Sequence, residues 1–200
     1  MTAIGKLNKR IGPVGGIFIQ NVFLMTVLVL QILFSPLYAT KSENKDEKQK
    51  AESLQALERR LQSLQGLDKI KLHYRLARRY KQQDADKMIT HALTGFRISS
   101  RLGDLKQKAI GLGLAGIGYS YRSKYGPAIK HVKEAIQIFR RIGDRKNVSG
   151  FLADLGTIYQ DQGANSQALS CFLESLKTEK QLKNEIGVAR CLTNIGIIYW

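Results

Sequence analysis

An all-α solenoid of stacked antiparallel helix pairs is the fold class this sequence predicts, and three observations predict it. The first is a step of forty residues. Gly116, Gly156 and Gly196 are spaced by it, as are Tyr119, Tyr159 and Tyr199, Ala128 and Ala168, and the pairs Gly103-Asp104 and Gly143-Asp144. Self-similarity at a fixed period of this length marks a repeat array, in which each unit buries its apolar face only against its neighbours. The second is spacing within a unit: Leu152, Leu155, Gly156 and Tyr159 share one helix face, and Ala168, Phe172 and Leu176 share the next. The third is punctuation. Gly103 and Gly143 can take the left-handed conformation that closes a helix, and Asp104 and Asp144 can then accept amide hydrogens of the helix that follows.

Taken from the amino terminus, residues 1–39 precede the array. Lys6, Lys9 and Arg10 form a positive region, and Val14 to Ala39 carry no charge. Pro36 and Ala39 close the apolar stretch in the manner of a cleaved secretory signal. The 26 uncharged residues are also long enough for a retained membrane anchor, and Leu37 stands where cleavage favours a small residue. Both readings place residues 40–200 outside the cytoplasm, in a periplasm or cell envelope or tethered to the inner membrane. Residues 40–50 have almost nothing to bury and read as a linker. In 51–66, Leu54, Leu57, Leu61 and Leu64 alternate three and four apart like a short coiled-coil seam; the expectation is an amphipathic helix covering the first repeat and ending at Gly66.

Helix pairs are expected from there on: near 69–82 and 85–101, near 105–123 and 127–142, and near 146–162 and 165–182, with a last helix from about Glu185 to Trp200. The repeats are thus 69–103, 104–143, 144–183 and a partial 184–200. Pro127 suits a first helical turn, where its missing N–H costs little. Gly156 and Ala168 allow close helix approach, while Tyr159 and Phe172 fill the adjoining space.

These residues resemble the tetratricopeptide repeat. Its first-helix hallmark stands as Leu155-Gly156…Tyr159 and Ile195-Gly196…Tyr199, as Ala115-Gly116…Tyr119 and as Leu76-Ala77…Tyr80. Its second-helix hallmark stands as Ala168 and Phe172, weakening to Ala128 and Val132 and then to Met88 and Ala92. The usual period is 34 residues with a closing proline; this chain keeps 40 and lacks the proline, so it is most similar to the longer repeats of the kinesin light chain and Leu-Gly-Asn type, common also in bacterial sensor proteins. The resemblance covers about 69–200. It implies a right-handed solenoid, a non-catalytic role in holding a protein or peptide, and no cofactor. The array stops within a first helix, so Ile195, Ile197, Ile198, Tyr199 and Trp200 are expected to leave an apolar stacking face uncovered, as in a piece of a longer protein or a surface for self-association.

Charge says which partner would fit. The chain carries 32 Lys and Arg against 16 Asp and Glu, and 18 of the basic residues but only five of the acidic ones fall in 69–145. Such asymmetry suggests an acidic partner, an anionic membrane surface or nucleic acid. The first helices of such pairs line the concave face, where the expected groove residues are Lys71, Tyr74, Arg78 and Lys81, then Ile110, Gly113, Ile117 and Tyr121, then Thr157, Gln160 and Asp161. A groove basic at one end and apolar in the middle suits an extended peptide with an acidic portion. The resemblance does not extend to the family's lysine and asparagine clamp for chaperone tails. Nucleic acid is a more remote partner, since stacking aromatics are sparse.

Other patterns carry less. Gly111-Leu112-Gly113-Leu114-Ala115-Gly116 matches a dinucleotide fingerprint, but no strand precedes it and Gly116 already belongs to the repeat. His91, His131 and Cys171 fall at one repeat position, yet equivalent helices lie too far apart for bonds of about 2.0–2.3 Å to a shared metal. His73 has no partner pattern. Asp84 and Asp86 fit a helix cap better than a catalytic carboxylate pair. Cys171 and Cys191 match no metal or redox spacing; they read as small buried residues, or as a disulfide if the chain is exported. Asn147-Val148-Ser149 is a glycosylation sequon, relevant only in a eukaryotic secretory route. No residue set suggests catalysis, a metal or a cofactor, and the expected function is that of a non-catalytic interaction module.

Overall fold

Helices separated by tight three- to five-residue connections account for nearly all of residues 53–200, which are the residues described by the computed structural model of this chain. The signal or anchor segment and the linker lie outside the described residues. Among the described residues eight helices follow one another: α1 (Leu54–Arg60), α2 (Gly66–Tyr80), α3 (Ala85–Arg101), α4 (Leu105–Tyr121), α5 (Tyr125–Arg141), α6 (Arg145–Asp161), α7 (Asn165–Gln181) and α8 (Glu185–Tyr199). No strand occurs among the described residues, and no helix there is long and apolar enough to cross a membrane. Consecutive helices pack on one another, and contacts also join α2 to α4, α4 to α6 and α6 to α8, so the first helices of successive pairs form one continuous layer. This is a helical-repeat stack.

Helix starts are set by side-chain caps. Asp84, Asp104, Asp144 and Asn184 accept the backbone N–H groups of Lys87 (2.9 Å), Gln107 (2.9 Å), Asn147 (3.1 Å) and Gly187 (3.3 Å), satisfying donors that a helix leaves free in its first turn. Gly103 and Gly143 close the preceding helices at φ +71° and +73°. The residue forty positions later is Lys183, which takes φ 54°: the turn is kept even where a side chain must bear the left-handed conformation.

The segment before the array departs from expectation. α1 has only seven residues, and Gly66 opens α2 at φ +57° instead of ending α1. Leu57 is wholly buried, and Leu54, Leu61 and Leu64 pack on the same core. The leucines therefore seal the first repeat from both the helix and the turn after it, and two turns of helix are too short for a coiled coil. Tyr80 Oη donates to Glu58 Oε1 at 2.5 Å and ties α1 to the end of α2.

Glycines set the approach of neighbouring helices at two positions. A β-carbon on Gly116 would stand 2.6 Å from Val132 Cγ2, and one on Gly156 would stand 2.5 Å from the Phe172 ring. The junctions between repeats differ in chemistry. Between α5 and α6, Phe139 and Phe151 stack at 5.5 Å between centroids. Forty residues on, the corresponding place between α7 and α8 is polar. Buried Glu179 accepts from Ser149 Oγ (2.7 Å) and Asn184 Nδ2 (2.7 Å), and Ser175 Oγ lies 3.0 Å from Ser149 Oγ and 3.2 Å from Cys191 Sγ. Both cysteines are free thiols, so the disulfide alternative is not realised.

Candidate partner-binding groove

α2, α4 and α6 present their residues to the inner layer in the order that helix spacing dictates. Lys71 and Arg78 are exposed along α2, and Lys81 is exposed at its C-terminal cap. Lys71 is 3.9 Å from Asp68, both well solvated, a pairing that leaves the ammonium available. Lys81 Nζ stands 5.7 Å from the centroid of the Tyr121 ring, which is 48% exposed at the end of α4. A cation and an aromatic face from successive repeats therefore meet at one edge of the layer. Ile110 and Ile117 are half-buried and bridge the two core clusters. On α6, Thr157 and Asp161 are exposed and Gln160 is half-buried. Thr157 Oγ1 donates back to the Ala153 carbonyl at 3.2 Å, and desolvation raises the Asp161 carboxyl above its usual pKa.

Two expected groove residues are corrected. Tyr74 is 2% exposed, and its hydroxyl donates to the Gln107 carbonyl at 2.6 Å. Burial pushes its pKa up to about 12. The reason is a slot made by glycines on two other helices: Gly95 faces the Tyr74 ring, and a β-carbon on Gly111 would lie 2.6 Å from its hydroxyl. Tyr74 thus locks α2 to α3 and α4 and has no surface for a partner. Gly113 is buried too, lying directly against Phe151.

Sequence reasoning missed Asp154 and Arg190. Asp154 sits half-buried on α6, one turn before Ile158 and beside buried Ala153. Desolvation raises its pKa, against the opposing pull of Lys81, Arg190 and Arg78. Cations from the first repeat and from α8 thus act on one carboxyl of the third repeat. Arg78, the counterpart on α2, is itself lowered from its usual pKa by desolvation. Arg190 also approaches the buried Glu179 at 3.9 Å. The apolar run around Asp154 hid it; its placement three residues before Thr157, on the same helix face, was the available signal.

The remaining patterns go to local partners. Gly111, Gly113 and Gly116 lie inside α4 against Tyr74 and Phe96, Phe151, and Val132, which leaves no free helix start for a pyrophosphate. His91 Nδ1 is 3.0 Å from His73 Nδ1, and its ring stacks on Tyr80. His73, without a partner in the sequence pattern, therefore has one in the fold. Burial holds His73 at about 4 and lowers His91. His131 Nδ1 pairs with the Pro127 carbonyl at 2.8 Å, and burial pushes the Cys171 thiol up. The three column residues thus have three separate settings, and among the described residues no group of three or more His, Cys, Asp or Glu is placed to hold a metal. Asp84 caps α3, and Asp86 lies 3.4 Å from Arg122. Asn147 Nδ2 is engaged by Asp144 at 2.8 Å and Ser149 is fully buried, so the sequon is closed in the folded chain. A cavity of about 320 Å³ between α1 and α2, lined by Arg60, Leu64, Asp68, Lys71, Leu72 and Arg75, adds a basic recess beside Lys71.

No protein-family model matches the chain, and no curated protein matches it. Among solved structures it is similar to BtubC (BKLC) from P. vanneervenii, with a TM-score of 0.61 at 18% identity, over 89% of this chain and 72% of that one. Likeness at that identity concerns fold alone, and it agrees with the geometry that this chain has a helical-repeat fold.

Proposed function

We propose that the chain is a non-catalytic interaction module that holds an extended, acidic peptide segment of a partner protein along the layer formed by α2, α4 and α6. The observation that carries this reading is the exposed cationic row of Lys71 and Arg78 on α2 and Lys81 at its C-terminal cap, continued by Tyr121 and leading to the half-buried Ile117. Acidic side chains would pair with the row, and apolar ones would cover the isoleucine. The uncharged stretch from Val14 to Ala39 supports export or anchoring of the module, and the repeat type supports a place as the sensing part of a longer signalling protein. A second reading, assembly by self-stacking, is favoured by α8, where Ile186, Leu192, Ile197 and Tyr199 are 83%, 52%, 53% and 74% exposed.

Fluorescence anisotropy of the full chain with a labelled Glu-rich peptide tests the first reading. Joint reversal of Lys71→Glu, Arg78→Glu and Lys81→Glu is expected to weaken binding about 100-fold, at roughly 1 kcal/mol per lost pair. Added salt should weaken the wild type and have much less effect on the variant. Equal affinity of the two proteins would refute the groove. Concentration-dependent sedimentation of both would instead support self-stacking.

A further inference from the structure

We infer that one edge of the array, made by the turns between successive repeats, lies against an anionic lipid surface. Aliphatic side chains enter the headgroup boundary there, and cations pair with lipid phosphates. This contact uses the turns and not the groove residues.

The turns α3–α4, α5–α6 and α7–α8 share the edge, because antiparallel helices return to the same end at every second connection. Side chains tie them into a row. Lys106 Nζ pairs with Asp144 Oδ2 at 2.9 Å, from the first turn to the second, and Arg145 donates to the Gln181 side chain, from the second to the third. The helix caps at these turns are Leu102, Ile142 and Leu182, forty residues apart and 58%, 37% and 39% exposed. Leu67, Leu105 and Ile186, in the first turns of α2, α4 and α8, lie at the same end and are exposed as well. The opposite edge has Lys81, Arg122 and Gln162 at its caps, and among the described residues no large aliphatic is exposed there. A repeated row of exposed aliphatics at one end only marks a contact surface.

Charge decides what the surface meets. Arg101, Arg141, Lys146 and Lys183 are exposed beside the aliphatic caps. Two of the acids in the three turns are engaged within the protein: Asp104 accepts the Gln107 N–H, and Asp144 accepts from Asn147 and Lys106. Glu185 is the one exposed acid of the three turns. Single aliphatics interleaved with cations match a headgroup boundary, where apolar side chains enter one by one and phosphates neutralise the charges between them. A folded protein partner would need a continuous apolar centre, which the interleaved cations interrupt. Val14 to Ala39 carry no charge, and this stretch brings the chain to a membrane as export signal or as anchor.

Hydrogen exchange of the full chain tests this on vesicles of phosphatidylcholine alone and of phosphatidylcholine with phosphatidylglycerol. On the anionic vesicles, exchange in residues 101–106, 141–146 and 181–186 is expected to be about tenfold slower than on the neutral ones. Residues 81–87, 121–127 and 161–167, at the other edge, should not change. The triple variant Leu102→Ser, Ile142→Ser and Leu182→Ser should lose the slowing. Arg101→Gln, Arg141→Gln and Lys183→Gln together, which keep the aliphatic caps, should lose it too, and thermal melting confirms that each variant is folded. No slowing, equal slowing on neutral vesicles, slowing at the opposite edge, or slowing that survives in either folded variant overturns the inference. Protection of the same turns by a soluble Glu-rich peptide and not by vesicles also overturns it, and would make the edge a protein contact.

Discussion

Phe139→Ala should cost the array about 3–5 kcal/mol, the range for removing a fully buried phenylalanine from a packed core. Phe139 has no exposed surface, and its ring stacks on Phe151 at 5.5 Å where the second repeat meets the third. Ala135, Ile136, Val148 and Leu152 belong to the same cluster. Cutting back the ring leaves a cavity at the point through which the two halves of the array support each other. In a stack whose units contact only their neighbours, such a junction sets cooperativity as well as stability. Thermal melting should show a fall of roughly 10 °C or more, with broadening if the halves uncouple. Leu173→Ala, 49% exposed on α7, is the control and should cost under about 1 kcal/mol. Equal shifts for the two variants would contradict the packing described here.

Acidification should destabilise the protein before its carboxylates protonate. His73 is 7% exposed and titrates at about 4, because burial, the neighbouring His91 and Lys69 all oppose a positive charge. In the unfolded chain it would titrate at 6.5. Between those values the unfolded state binds the extra proton, so stability falls as the pH drops from 6.5 towards 4 and levels off below. The full loss is about 3 kcal/mol, at 1.36 kcal/mol per unit. Lowered His91 acts in the same direction, whereas the raised carboxyls of Asp154 and Asp161 oppose it in the acid range. Comparison with His73→Asn, whose amide can replace the ring's Nδ1 contact, isolates the histidine. Urea unfolding at pH 7 and pH 4.5 should give a wild-type loss larger than the variant's by about 2 kcal/mol. The same loss in both proteins would show that His73 is protonated in the fold.

What was legible in the sequence was whatever repetition imposes. Helix caps at Asp104 and Asp144, the close approach at Gly116 and Gly156, and the helical stack all follow from one unit having to fit the next. Residues that break the period were harder to read. Tyr74 lies between Lys81 and Arg78 on a helix projection, but Gly95 and Gly111 on other helices open the slot that draws it inward. The pairing of His73 with His91 joins positions 18 apart across α2 and α3, with no counterpart in later repeats. Asp154 looks like one polar residue in an apolar run; only the stacking of helices brings cations from α2 and α8 into its field. The change from Phe139 to Glu179 at one repeat position converts an apolar junction into a hydrogen-bonded one, which periodicity by itself would have concealed.

The central claim is that an acidic peptide lies on the layer of first helices, and hydrogen exchange of the full chain with and without a Glu-rich peptide tests it most directly. The account predicts added protection in α2, α4 and α6, strongest around Arg78 to Lys81 and near Asp154, with α3, α5 and α7 unchanged. Protection confined to α3, α5 and α7, or to the exposed face of α8, would contradict it.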